Sequence, residues 1–228
     1  YQSWLKAEAL SETELKVTTT TTNNLMVNRV GHIIMKTKEV IDGFDGITFD
    51  ISQGTAFWKE GGADNYVVDE ETGYMTLYGS GIVTNYLFKK GRLAFDFESI
   101  NLTGEDWIEF NMWPNSGNTN FHLHFYANKE SNFTCGGSGL NWTQKTFTWT
   151  SEQTNVVKKI EFLVVNKEEG SNALVLKLII DGVEVAVLDN NIPDPYATEP
   201  GAPVYFRMHT TNKASNFTVK SITWEPVE

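Results

Sequence analysis

The feature that most constrains this chain is the brevity of its apolar segments. They span roughly four to eight residues, favour β-branched and aromatic side chains, and are cut by Gly, Asn and Asp. Such runs form strands, because branched and aromatic side chains suit a pleated, half-buried surface and the breakers suit turns. Strands are expected over residues 15–22, 32–36, 47–51, 65–68, 74–78, 82–88, 92–97, 107–113, 120–127, 145–150, 157–165, 173–180, 183–188, 203–210 and 216–224. Between two of them lies Asp181-Gly182, the clearest hairpin signal, since both central residues of a type I′ turn need positive φ. A short helix is expected within residues 3–14, where Ala, Leu and Glu favour it. Nowhere else does an apolar period of 3.6 persist. The glycine-rich stretch 135–140 reads as a surface loop. Many short strands without crossover helices mean an antiparallel all-β architecture, two packed sheets or a barrel. No Pro- or Ser-rich linker divides them, so residues 1–228 read as a single β-sandwich domain.

Charge and composition narrow the partners. Asp and Glu number 29 against 18 Lys and Arg, a formal charge of −11, which counts against a binder that tracks nucleic-acid phosphates. No apolar run approaches the length that a membrane-spanning helix needs. The one cysteine, Cys135, can form neither an internal disulfide nor a Cys-x-x-Cys zinc site, and reads as a small buried hydrophobe. Residues 1–10 carry no basic stretch followed by an apolar one, and the chain opens on Tyr1. The expectation is a monomeric module of a larger secreted or cell-surface protein.

Splitting strands into their two faces locates the chemistry. In 107–113 one face holds Ile108, Phe110 and Met112, and the other Trp107, Glu109, Asn111 and Trp113. In 121–126 the apolar face is Phe121, Leu123 and Phe125, opposite His122, His124 and Tyr126. In 204–209 it is Val204, Phe206 and Met208, opposite Tyr205, Arg207 and His209. Solvent-facing strands usually show Thr, Lys and Ser. Aromatic, imidazole, guanidinium and carboxylate groups there are the types enriched at binding surfaces. If the three strands are neighbours, they form one platform, and sugars suit it. Pyranose C–H faces stack on Trp113 and Tyr126, while Arg207, Asn111 and Glu109 pair with hydroxyls.

Residues 178–188 (LIIDGVEVAVL), 203–210 (PVYFRMHT) and 217–224 (FTVKSITW) resemble the closing strands of the concanavalin A-like lectin and glucanase jelly rolls. The pair within 107–127 resembles their central concave strands. The resemblance implies a jelly-roll sandwich whose polar face is the concave sheet, where such modules hold a polysaccharide or oligosaccharide. With −11 charges, a neutral glycan is expected.

Enzymatic alternatives exist on the same fold. Tyr205-Phe206-Arg207 resembles a strand of the alginate-lyase type of polysaccharide lyase. That would make Tyr126 or Tyr205 the acid/base, His122 or His124 the group that takes the C5 proton, and Arg207 the carboxylate binder. This chain has no counterpart of that family's arginine-rich strand, and His122-Leu123-His124 replaces its Gln-x-His. A glycoside hydrolase would need two carboxylates; Glu105, Asp106 and Glu109 are the nearest candidates. An adhesive or structural interaction domain is a further alternative.

Two metal readings arise. Asp42-Gly43-Phe44-Asp45-Gly46 packs carboxylates into a glycine turn, so Asp42 and Asp45 are candidate calcium ligands, and jelly-roll modules of this kind often hold a structural calcium. Separately, Gly117, His122-x-His124 and Glu130 sketch half of a cupin-like motif with altered spacing, and His209 is a candidate third imidazole. The histidines are expected to be hydrogen-bonded platform groups, with no cofactor required.

Overall fold

A computed structural model of the chain describes residues 4–11, 14–19, 29–35, 46–53, 57–60, 66–78, 81–84, 90–104, 106–112, 120–126, 129–137, 140–194, 204–209 and 215–227. In chain order, two hairpins come first: β1 (Leu5–Ala9) with β2 (Leu15–Thr19), and β3 (Arg29–Met35) with β4 (Ile47–Gln53). Then follow β5 (Phe57–Glu60), β6 (Tyr66–Val68), β7 (Met75–Leu77), β8 (Gly81–Thr84), β9 (Gly91–Asn101), β10 (Trp107–Met112), β11 (Asn120–Tyr126), β12 (Glu130–Gly137) and β13 (Leu140–Thr148). A single helical turn, α1 (Ser151–Asn155), precedes β14 (Lys159–Asn166), β15 (Ala173–Ile180), β16 (Val183–Pro193), β17 (Val204–His209) and β18 (Asn216–Pro226).

Fourteen of these strands make two antiparallel sheets of seven. One runs β13-β12-β11-β10-β17-β8-β5, the other β16-β15-β14-β9-β18-β7-β6. The inward faces of both sheets meet in one core. Ile108, Phe110, Phe121, Leu123, Phe125 and Phe133 come from the first sheet, and Phe95, Phe97, Phe162, Leu176, Leu178 and Phe217 are among those from the second. Phe110 bridges the sheets, its ring 4.9 Å from that of Phe95 at 75° and 5.2 Å from that of Phe162 at 53°. Aromatic pairs favour such inclined contacts, because ring edges are positive and ring faces negative. The all-β sandwich expected from the sequence is what forms.

Local details follow the sequence closely at the turns. Asp181 and Gly182 have φ of 48° and 81°, as a type I′ hairpin requires. Asp181 does more than turn: its Oδ1 accepts from the amides of Lys158 and Lys159, tying the β15–β16 hairpin to the start of β14. At the β6–β7 turn, Asp69 Oδ1 accepts from the amides of Thr72 and, with the smaller effect, Glu71, which holds its carboxyl below the usual carboxylate range. Thr150 and Gln153 form a reciprocal capping box that starts α1.

Three expectations fail. Residues 5–9 are a strand, not a helix. Helix propensity there is confined to a segment too short to nucleate alone, and pairing with β2 satisfies its backbone instead. The expected loop at 135–140 belongs largely to β12 and β13. Ser131, Phe133 and Cys135 alternate into the core while Asn132 and Thr134 face outward, a period-2 signal masked by Gly136-Gly137. β13 accordingly starts at Leu140 rather than at 145. Cys135 is buried as expected, and burial pushes its thiol up to about 12.

Candidate functional site

The strand order joins the three alternating segments. β10 lies in the middle of its sheet with β11 on one side and β17 on the other. Across β10 and β11, Trp107 faces Tyr126, Glu109 faces His124 and Asn111 faces His122. Across β10 and β17, Trp107 stands at the register position of His209, Glu109 at that of Arg207, and Asn111 at that of Tyr205. The condition set by the sequence, adjacency of the three strands, is therefore met. Of β17 only the backbone is described, so Tyr205, Arg207 and His209 are placed by register alone. Trp113, Asp42, Asp45 and Gly117 lie outside the described residues.

Because Ile108, Phe110, Leu123 and Phe125 fill the core, their strand neighbours are forced to the opposite face. There the aromatic groups cluster. The rings of Trp107 and Tyr126 lie 5.4 Å apart at 35°, and His124 is 6.5 Å from each. Lys129 Nζ sits 4.4 Å from the centre of the Tyr126 ring, within cation–π range. Trp107, His122, His124 and Tyr126 are all half-buried, so each presents part of its surface to solvent.

In the same rows stand two buried polar groups. Glu109 is 6 % exposed and Asn111 3 %. Asn111 Nδ2 donates to Glu109 Oε1 at 2.6 Å, which fixes the orientation of the amide. No donor among the described residues reaches Asn111 Oδ1, although it is buried. A buried acceptor of this kind is normally satisfied by protein, water or ligand. Burial holds the His122 imidazole below the ordinary histidine range; neighbouring His124 acts in the same direction and Glu109 in the opposite one. One carboxylate oxygen of Glu109 and one ring nitrogen each of His122 and His124 lie within 4.8 Å of one another.

Other residues singled out in the sequence fall elsewhere. Asp106 is buried and accepts from Ser215 Oγ at 2.6 Å, so it serves the turn before β10 rather than the platform. Glu130 is exposed at the start of β12; the carboxylate that joins the histidines is Glu109. The sequence reading also missed an extension of the platform. β12 places Asn132 opposite His124 and Thr134 opposite His122, and Asn132 Oδ1 accepts from Gln144 Nε2 of β13 at 2.7 Å. The alternation of 131–135 carried that signal.

No protein-family model matches the sequence, and no curated protein matches it. Solved structures do match. A β-glucanase of Bacillus licheniformis superposes with a TM-score of 0.52 at 10 % identity, covering 75 % of this chain and 92 % of that one. A legume lectin-like domain from Entamoeba histolytica gives 0.53 at 9 % identity, over 76 % and 91 %. A Bacteroides ovatus family 16 glycoside hydrolase of a mixed-linkage glucan locus gives 0.52 at 11 % identity, over 75 % and 94 %. At such identities the likeness is one of fold. The fold is the concanavalin A-like jelly roll, as the closing strands suggested.

Proposed function

We propose that the outward face of β10, β11 and β17 binds a neutral polysaccharide or oligosaccharide without covalent chemistry, as an extracellular module. Trp107 and Tyr126 provide stacking surfaces, and Trp113 continues their alternation along the chain. His122 and His124 supply hydrogen bonds, backed by the buried pair Glu109 and Asn111 and joined by Tyr205, Arg207 and His209 from β17. The observation that carries this reading is the register of three adjacent strands, which aligns these residues in rows. Matching folds that bear the names β-glucanase and legume lectin-like domain support it. A net charge of −11 favours a neutral over an anionic ligand.

A glycan array spanning plant, microbial and host structures tests the reading. Binding to neutral glycans is expected, and Trp107→Ala weakens it at least about tenfold, the ~1.4 kcal/mol or more typical of losing a central aromatic anchor. An array without neutral hits refutes the proposal. New reducing ends on incubation with the ligand would replace binding by hydrolysis, and new ultraviolet absorbance on a uronate polymer would replace it by elimination.

A further inference from the structure

The outward face of β10 and β11 holds a cluster whose composition sugar recognition does not require. Two imidazoles and a carboxylate converge from two strands, with one ligand atom of each within 4.8 Å of the others. Three points so spaced always leave a position within about 2.8 Å of all three, some 0.7 Å beyond the 2.0–2.2 Å of zinc–nitrogen and zinc–oxygen bonds. Small side-chain rotations close that gap. We propose that Glu109, His122 and His124 bind a divalent transition-metal ion of borderline softness, zinc before others.

Each element of the fold contributes to this arrangement. His122 and His124 are two residues apart on β11, so both point to the same side of the sheet. Glu109 sits directly across from His124, a cross-strand pair whose side chains are always in reach. The carboxylate is already held by Asn111, whose Nδ2 donates to Oε1 at 2.6 Å. Ligating carboxylates are characteristically fixed by such an outer hydrogen bond. The second atom of the same amide is the independent sign of a missing group. Asn111 Oδ1 is buried with no donor reaching it among the described residues, as an acceptor that a group from outside the protein would satisfy.

The donor set selects the metal class. Two nitrogens and one carboxylate oxygen suit zinc, nickel, cobalt or iron(II) far better than calcium or magnesium, which take oxygen ligands. Three protein ligands leave at least one coordination position open to water or to a ligand hydroxyl, as in zinc sites that act on or hold a substrate. Both imidazoles are half-buried, while Glu109 is 6 % exposed. This site stands on the cluster's geometry and needs no glycan.

The test uses tag-free protein freed of metal with a chelator, titrated with Zn2+ by calorimetry, and loaded with Co2+ to read the ligand field by absorption. One ion per chain is expected, with a cobalt spectrum of nitrogen and oxygen ligation. Glu109→Gln, His122→Ala and His124→Ala should each weaken zinc at least about 100-fold, and Asn111→Ala about 10–100-fold. His32→Ala, in the separate two-stranded β3–β4 sheet, should leave affinity unchanged. Absence of stoichiometric zinc binding by the wild-type protein overturns the proposal without reference to any variant. So does binding that survives His122→Ala and His124→Ala together; the cluster is then a hydrogen-bonded polar layer only. Glycan binding by the metal-free protein would leave the sugar reading intact when the metal reading fails. Zinc binding without glycan hits would do the converse.

Discussion

Replacing Ser215 by alanine probes how the first sheet is fastened to the second. Ser215 is fully buried immediately before β18, and Asp106, 1 % exposed, immediately precedes β10. Ser215 Oγ donates to Asp106 Oδ2 at 2.6 Å and accepts from the Thr103 amide at 2.9 Å; the Thr103 hydroxyl lies 3.0 Å away. Removing the hydroxyl deletes a hydrogen bond to a charged group, worth about 1.5–3 kcal/mol, and a neutral one worth about 0.5–1.5 kcal/mol. Some relaxation offsets the sum, so about 3 kcal/mol of destabilisation is expected. For a chain of this size that is a fall in Tm of roughly 6–12 °C. Urea unfolding measures it as a shift in midpoint at constant slope. A double-mutant cycle with Asp106→Ala isolates the pair, with a coupling of about 1–3 kcal/mol expected. A loss under about 1 kcal/mol, or no coupling, would mean that water replaces the hydroxyl freely and that the sheets are joined by core packing alone.

Three further outcomes are expected. Gly91 has φ of 145°, and a β-carbon there would lie 2.3 Å from the Glu225 carbonyl oxygen and 2.7 Å from Trp224 Nε1. Gly91→Ala should therefore cost more than about 2 kcal/mol, whereas Gly170→Ala, at φ of 74° with nothing within 4 Å, should cost only the ~1 kcal/mol of left-handed backbone; equal losses in thermal melts would refute the steric argument. The Cys135 thiol, pushed up to about 12, should resist alkylation in the folded protein at pH 8 and react once urea unfolds it. Since its folded value exceeds the unfolded value near 9, it stabilises fully below pH 9 and loses that contribution as pH rises toward 12. Urea midpoints should thus fall more steeply in that window for the wild type than for Cys135→Ala, and parallel curves would contradict the burial.

Much of the fold was readable because alternation is local. Ile108 and Phe110, or Leu123 and Phe125, declare a core face within one strand, and Asp181-Gly182 declares its own turn. Errors arose where local signals conflict with pairing. Ala7 and Glu8 favour helix but sit in a hairpin, and Gly136-Gly137 read as loop while ending a strand. The site was legible as three faces but not as one surface. Nothing within 107–112 says that its neighbour lies near residue 206, because that pairing spans most of the second half of the chain. For the same reason sequence proximity points to Glu130 as the carboxylate beside the histidines, whereas strand order brings them Glu109.

The placement of β17 and β18 has a consequence for synthesis. Each is an inner member of its sheet, β17 between β10 and β8, and β18 between β9 and β7. A ribosome delivers residues 204–226 only after both gaps already exist, so neither sheet can close while the preceding strands wait. During that interval β8, β10, β7 and β9 all present unpaired backbone, the kind of edge that recruits strands from other chains. Expression yield should accordingly depend on how quickly the last two strands arrive and on whether a chaperone shields those four edges meanwhile.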